Sequence, residues 1–226
     1  VGKTFNEIKK HFSSDALNKT FFHAHGTSTP QNRESESHII SSISKAFGIE
    51  ALPVTAIKSY LGHSLAAAGG DQMISTLGSW KNNIIPGITS TPELAENVHR
   101  ENVEFLLQNK KFDGEDYDFA VLNAKGFGGN NGTALVASPS KTMKMLETKY
   151  SKKDIHEYLL KKRKIDTQLD KYKAEVLQGD IKSRYMFGED VIDGMNDFEI
   201  ETDKITNKLN KEIFNLNSTL PYKDYL

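Results

Sequence analysis

The chain has 226 residues, 37% hydrophobic and 26% charged, enough to bury one sizeable core beside a smaller appendage. Its 29 Lys+Arg stand against 30 Asp+Glu, a formal net charge of -1, so the overall balance calls for neither nucleic acid nor an anionic membrane as partner. With no cysteine, these residues supply no disulfide, no thiolate metal site and no cysteine nucleophile.

No apolar run reaches the roughly 18 residues of a membrane helix. The opening residues also lack the apolar stretch of a secretory signal, so a soluble, cytoplasmic protein is expected. The sequence begins at Val1 rather than at methionine, and on that ground an N-terminal portion is expected upstream.

From Thr20 to about Ser138, short apolar runs alternate with helical patterns, which predicts an α/β layered domain. Strands are expected at Thr20 to Ala24, Pro53 to Ile57, Asp118 to Asn123 and Gly132 to Ser138. Each is nearly continuous in apolar character, as strands covered on both faces are. Between the first two, Ile39, Ile40, Ile43, Ala46 and Phe47 fall on one stripe of a helix running from near Glu34 to Gly48. Between the second and third, Ala66, Met73, Ile74, Leu77 and Trp80 repeat that spacing. The last two strands are joined by AKGFGGNN, a glycine-rich loop of the kind that lets backbone approach a ligand closely.

Past Pro139 the chain grows richer in Lys, Asp, Glu and Asn, which sets a main domain over residues 1–140 against a mainly helical C-terminal extension over 141–226. One helix is expected from Lys152 to Leu177, with the run Lys161 to Lys164 on its solvated side. A second, weaker helix is expected through Thr202 to Phe214.

Two segments carry chemistry. HAHGTSTP and KSYLGHSLAAAGG each follow a predicted strand, and α/β proteins place ligands at the carboxyl ends of strands. The first offers the His25 imidazole beside Gly26 and the hydroxyls of Thr27 and Thr29. The second offers Lys58, His63 and a run of small residues that lets a helix pack closely. His23, His25 and His38 have no carboxylate or thiolate at ligand spacing, so no metal is expected. The loop Gly126-Phe127-Gly128-Gly129 lacks the spacing of a nucleotide-binding turn.

Taken together, His25-Gly26-Thr27 with Thr29, the Lys58 to His63 segment, and Gly126 to Gly129 with Asn131 resemble the three C-terminal signatures of the β-ketoacyl-[acyl carrier protein] synthases, in family order. The extension resembles that of the longer bacterial forms. This resemblance implies the second half of a thiolase-like αβαβα fold, a mixed sheet flanked by helices. It also implies a decarboxylating Claisen condensation in fatty-acid biosynthesis, in which malonyl-acyl carrier protein extends an acyl group held on a cysteine of the first half. Catalytic roles then fall to His25, His63, Lys58 and Phe127, and substrate contacts to Thr27, Thr29, Gly126 and Gly128. No cofactor is implied beyond the phosphopantetheine arm of the carrier protein. The implied partners are acyl carrier protein and the N-terminal half, with a homodimer for the whole enzyme, and this chain alone is expected to be inactive.

The sequence departs from the family pattern at four places. Ser28 stands where Gly is usual, Gln31-Asn32 where Gly-Asp is usual, and Ala124-Lys125 where Ser-Phe is usual. Gln72 falls where a glutamate commonly pairs with the site lysine, and an amide there is expected to accept a hydrogen bond from Lys58 without neutralising it. Two alternatives stand beside the synthase: a non-catalytic module that binds carrier protein or another partner, and a polyketide synthase component.

Overall fold

A computed structural model describes residues 1–179 and 194–217, with the chain dividing into two compact units, Val1–Glu157 and Tyr158–Leu226. The first unit runs α1 (Gly2–His11), α2 (Asp15–Asn18), β1 (Thr20–His23), α3 (Pro30–Phe47), β2 (Leu52–Thr55), α4 (Lys58–Leu61), α5 (Ala68–Asn82), β3 (Ile84–Ile85), β4 (Val103–Phe105), β5 (Lys110–Lys111), β6 (Phe119–Lys125), β7 (Asn131–Ala137) and α6 (Pro139–Lys149). Five of the strands form one sheet in the order β4-β2-β1-β6-β7, while β3 and β5 form a separate antiparallel pair. β4, β2, β1 and β6 are parallel, and β7 closes the edge antiparallel to β6. The four expected strands are therefore β1, β2, β6 and β7, within a residue or two at each end.

Alternation along β1 divides the core. Phe22 joins Phe5, Ile8, Leu17, Ile40, Val54 and Val121 on the face covered by α1 and α3. Phe21 joins Trp80, Ile85, Tyr117, Ala120 and Leu122 on the face covered by α5. All four residues of β1 and of β2 are buried, which is why those strands read as continuous apolar runs rather than alternating ones. The result is helix, sheet, helix: one mixed layer with both faces covered.

Two helical stripes are rotated from the sequence reading. In α3 the buried positions are Glu36, Ser37, Ile40, Ser41 and Ser44, and Ile39 is exposed. In α5 the buried positions are Ala68, Gln72, Thr76, Ser79 and Trp80, whereas Ile74 and Leu77 face outward. Small and hydrogen-bonding side chains let both helices sit close to strand ends rich in backbone polar groups, so each turns its more polar flank inward.

α7 (Lys152–Gln178) matches the long helix expected there. The helix expected over 202–214 is instead strand: β8 (Phe198–Ile200), β9 (Lys204–Asn207) and β10 (Ile213–Asn215) form a three-stranded antiparallel sheet. Asn207 decides this locally, because its side-chain Oδ1 accepts from the backbone N–H of Leu209 and so turns the chain after β9. Among its described residues the extension is thus mainly helical, with a small three-stranded sheet after the long helix. Among the described residues, no helix is long and apolar enough to cross a membrane.

Candidate active site

The parallel ladder between β1 and β6 ends at the pair His23 and Leu122. Beyond it the two strands separate, and His25 and Lys125 stand in the gap. Gly26 holds φ +57, a left-handed conformation that turns the chain sharply after His25. A buried carboxylate fixes that turn: Glu36 of α3 accepts from the backbone N–H of His25 at 2.8 Å and of Gly26 at 3.0 Å. The same carboxylate accepts from the side-chain amides of Asn32 at 3.0 Å and Asn123 at 2.7 Å. Four donors on one carboxylate satisfy its charge without a cation.

His25 is held at three further points. Lys58 at the start of α4 donates from Nζ to the His25 carbonyl at 2.5 Å. The backbone N–H of Lys125, which opens the glycine loop, donates to Nδ1 of His25 at 3.1 Å. An Nδ1 that accepts carries no proton, so a neutral His25 bears its proton on Nε2. Burial lowers the His25 pKa, and the Lys58 charge lowers it further against the opposing pull of Glu36. Neutral His25 is therefore the resting form at pH 7.

His63 follows α4 and shows the same arrangement. Its Nδ1 accepts from the backbone N–H of Leu65 at 3.0 Å, which again leaves the proton on Nε2. The two rings lie edge to face with centroids 5.4 Å apart. Two imidazoles from two separate motifs thus lie side by side, with the Lys58 ammonium on the carbonyl of one of them. Lys58 is itself held below the ordinary lysine pKa by burial, which Glu36 and Asp71 partly offset.

A cavity of about 440 Å³ opens beside these groups, lined among others by Thr27, Asn32, Arg33, Lys58, His63 and Thr91. The hydroxyls of Thr27 and Thr29 lie 3.5 Å apart, with Thr27 on the cavity wall. Ser28 between them takes φ +60, which gives a physical reason for glycine being usual at that position. In the glycine loop, the N–H of Gly126 donates to the Asn130 carbonyl at 2.7 Å and Gly128 takes φ +71. The side chain of Phe127 lies outside the described residues.

Gln72 departs from the sequence expectation. It does not accept from Lys58: its Nε2 donates to the carbonyls of Ala24 at 2.9 Å and Asn123 at 3.0 Å, and its Oε1 has no partner among the described residues. Lys58 reaches backbone rather than an acidic side chain because the carboxylate nearest the turn, Glu36, is already taken up by four donors.

The sequence reading missed Glu36 and Asn123. Glu36 did carry a signal, since it falls in phase with Ile40, Ile43 and Phe47, a charged residue on the stripe that faces the core. Asn123 closes a run of apolar strand residues, and its partner is 87 positions away, so nothing local marks it.

Residues 8–91 match the family described as beta-ketoacyl synthase, C-terminal domain. The chain is 39% identical over 187 residues to the beta-ketoacyl-[acyl-carrier-protein] synthase FabY of Pseudomonas aeruginosa, a stretch covering 83% of this chain and 29% of that protein. The crystal structure of P. aeruginosa FabY superposes with a TM-score of 0.78 at 34% identity, covering 100% of this chain and 35% of that one. The chain belongs to the β-ketoacyl synthase family, as a C-terminal half of its thiolase-like fold. A further relative is 3-oxoacyl-[acyl-carrier-protein] synthase 2 of Vibrio harveyi, 32% identical over 116 residues, covering 50% of this chain and 26% of that one. This β-ketoacyl synthase chain thus spans less than a third of the length of the curated relatives it matches. The match to FabY extends past the residues shared with the family description, which end before the glycine loop.

Proposed function

We propose that this chain is the C-terminal portion of a 3-oxoacyl-[acyl carrier protein] synthase of fatty-acid biosynthesis, a cytoplasmic acyltransferase whose nucleophilic cysteine lies outside these residues. The observation that carries this reading is that the imidazoles of His25 and His63 lie with centroids 5.4 Å apart, each with Nδ1 engaged by backbone and Nε2 left to donate.

In the proposed reaction the malonyl thioester loses carbon dioxide, and the electrons of the broken C–C bond move onto the thioester oxygen as an enolate. The two Nε2–H groups stabilise that oxygen as a preorganised pair of donors. The enolate carbon then attacks the acyl thioester on the cysteine, a C–C bond forms, and the thiolate leaves. Lys58 holds the His25 backbone and keeps positive charge near the developing oxyanion. The backbone N–H of Phe127 serves the second oxyanion, at the acyl carbonyl, within the turn shaped by Gly126 and Gly128. Thr27 on the cavity wall and Thr29 beside it bind the pantetheine arm, so the reaction needs no cofactor beyond that arm. Acyl carrier protein and the remainder of the synthase are the partners, and the whole enzyme is a homodimer.

A polyketide synthase component is the second reading, favoured by a 30% identity over 136 residues to a highly reducing polyketide synthase of Fusarium mangiferae. Mixing this chain with a cysteine-bearing N-terminal portion and following β-ketoacyl thioester formation from malonyl-acyl carrier protein tests the first reading. Product that requires both parts supports it. A folded complex without product, or product formed only from extended ketide primers, contradicts it.

A further inference from the structure

Gln72 sits where two strands stop pairing. The β1 to β6 ladder ends at His23 and Leu122, and just beyond it the carbonyls of Ala24 and Asn123 both lie within hydrogen-bond reach of one side-chain nitrogen. Two carbonyl oxygens cannot bond each other, and their dipoles repel when they approach. A side-chain NH2 has two donors in a fixed fork, which matches such a pair, and Gln72 places one there while 1% exposed. A carboxylate at this position would bring a third acceptor and no donor.

What the fork ties together is the site itself. Ala24 is followed by His25, and Asn123 precedes Lys125 by two residues. Just past the tie, the Lys125 N–H meets Nδ1 of His25 and so selects its tautomer. Asn123 is also the residue whose side-chain amide reaches Glu36, the carboxylate that holds the His25 turn. Every bond that orients His25 across the gap between β1 and β6 thus starts within two residues of a carbonyl gripped by Gln72.

We propose that Gln72 is a positioning residue that extends the β1 to β6 register by one side-chain clamp and thereby locks His25 in its Nε2–H tautomer. The clamp is made of neutral hydrogen bonds only. Its consequence for turnover rests on the synthase reading above, whereas its effect on the imidazole belongs to this chain alone.

The test is nitrogen NMR of the 226-residue chain labelled at histidine, comparing wild type with Gln72→Met, which keeps the length and removes both donors. Expected is a single Nε2–H tautomer for His25 in wild type, giving way in the variant to a mixture of tautomers with a titration midpoint shifted up toward the ordinary 6.5. Unchanged His156 signals and circular dichroism report that the variant is folded. Gln72→Leu, which likewise brings no donor to the two carbonyls, serves as a second variant and should show the same loss. A folded variant that keeps the wild-type tautomer and midpoint overturns the proposal, as does failure of both variants to fold. Within an active longer protein, loss of the clamp should lower kcat on the order of 10²-fold with KM for the carrier protein unchanged. A tautomer change without activity in any version would leave the clamp standing and count against the synthase reading instead.

Discussion

Gly26 backs onto Ala56 so closely that a Cβ built on residue 26 would lie 2.6 Å from the Ala56 Cβ. The contact joins the end of β1 to the end of β2, the two strands that deliver His25 and Lys58. Any side chain at 26 also meets the positive φ there, so Gly26→Ala combines left-handed strain with overpacking. A loss of about 2–4 kcal/mol is expected from the two costs together. Urea unfolding measures it, and a loss under about 1 kcal/mol would show that the turn can relax.

Glu36 holds four donors, two of them backbone N–H groups of the turn. Glu36→Gln keeps the shape but aims an NH2 at groups that are themselves donors. A buried donor left unmatched costs about 1–3 kcal/mol. Stability should fall by that order, and the His25 ring should lose its single orientation in the NMR spectrum. Glu36→Gln with wild-type stability and a fixed His25 would remove Glu36 from this account.

His23 points from β1 toward the α5 side beside Phe21 and is fully buried. Burial, aided by the Lys58 charge, lowers its pKa from 6.5 to about 3. The unfolded chain then binds one more proton than the folded one between those values. Its contribution to stability is fully present above pH 6.5 and is lost as pH falls toward 3. His23→Leu should therefore flatten the fall in stability between pH 6.5 and 4 by up to about 1.4 kcal/mol per pH unit, the slope of one proton. An unchanged slope in chemical denaturation would mean that His23 titrates normally.

On α4, α5 and the turn between them, Leu61, Leu65, Ile74 and Leu77 are all exposed, Leu65 and Ile74 each at 72%. Clustered apolar side chains in water favour association. Ile74→Glu with Leu77→Glu should reduce self-association in sedimentation runs without lowering Tm, because neither side chain is buried in this chain. A drop in Tm instead would place these residues in the chain's own core.

How much of this was legible in sequence follows from where each partner lies. β1, β2, β6 and β7 could be read because each is a run buried on both faces, whereas β4 is a three-residue edge strand whose pairing with β2 only the fold reveals. His25, Lys58 and His63 each stand in a motif that the sequence displays. The resemblance implies that the two imidazoles meet at one oxyanion, but the bonds that orient His25 are not legible, since they come from Lys125, 100 positions away, and from Glu36. The helical stripes misled at Ile74 and Leu77 because hydrophobicity marks a face that must be covered without saying by what. Asn207 reversed the helix expected after Thr202, a local turn preference overriding a weak periodic pattern.

The most direct measurement is the decarboxylation rate of malonyl-acyl carrier protein by the assembled synthase carrying His25→Ala, His63→Ala and both changes. If the two Nε2–H groups serve one oxygen, each single variant should lose roughly 10²-fold to 10³-fold. The double variant should then lose much less than the product of the two. The wild-type rate should fall as pH drops through a His25 pKa that burial and the Lys58 charge hold below the ordinary histidine value. Near-wild-type decarboxylation by either single variant, in a protein that still folds and binds carrier protein, would contradict the account.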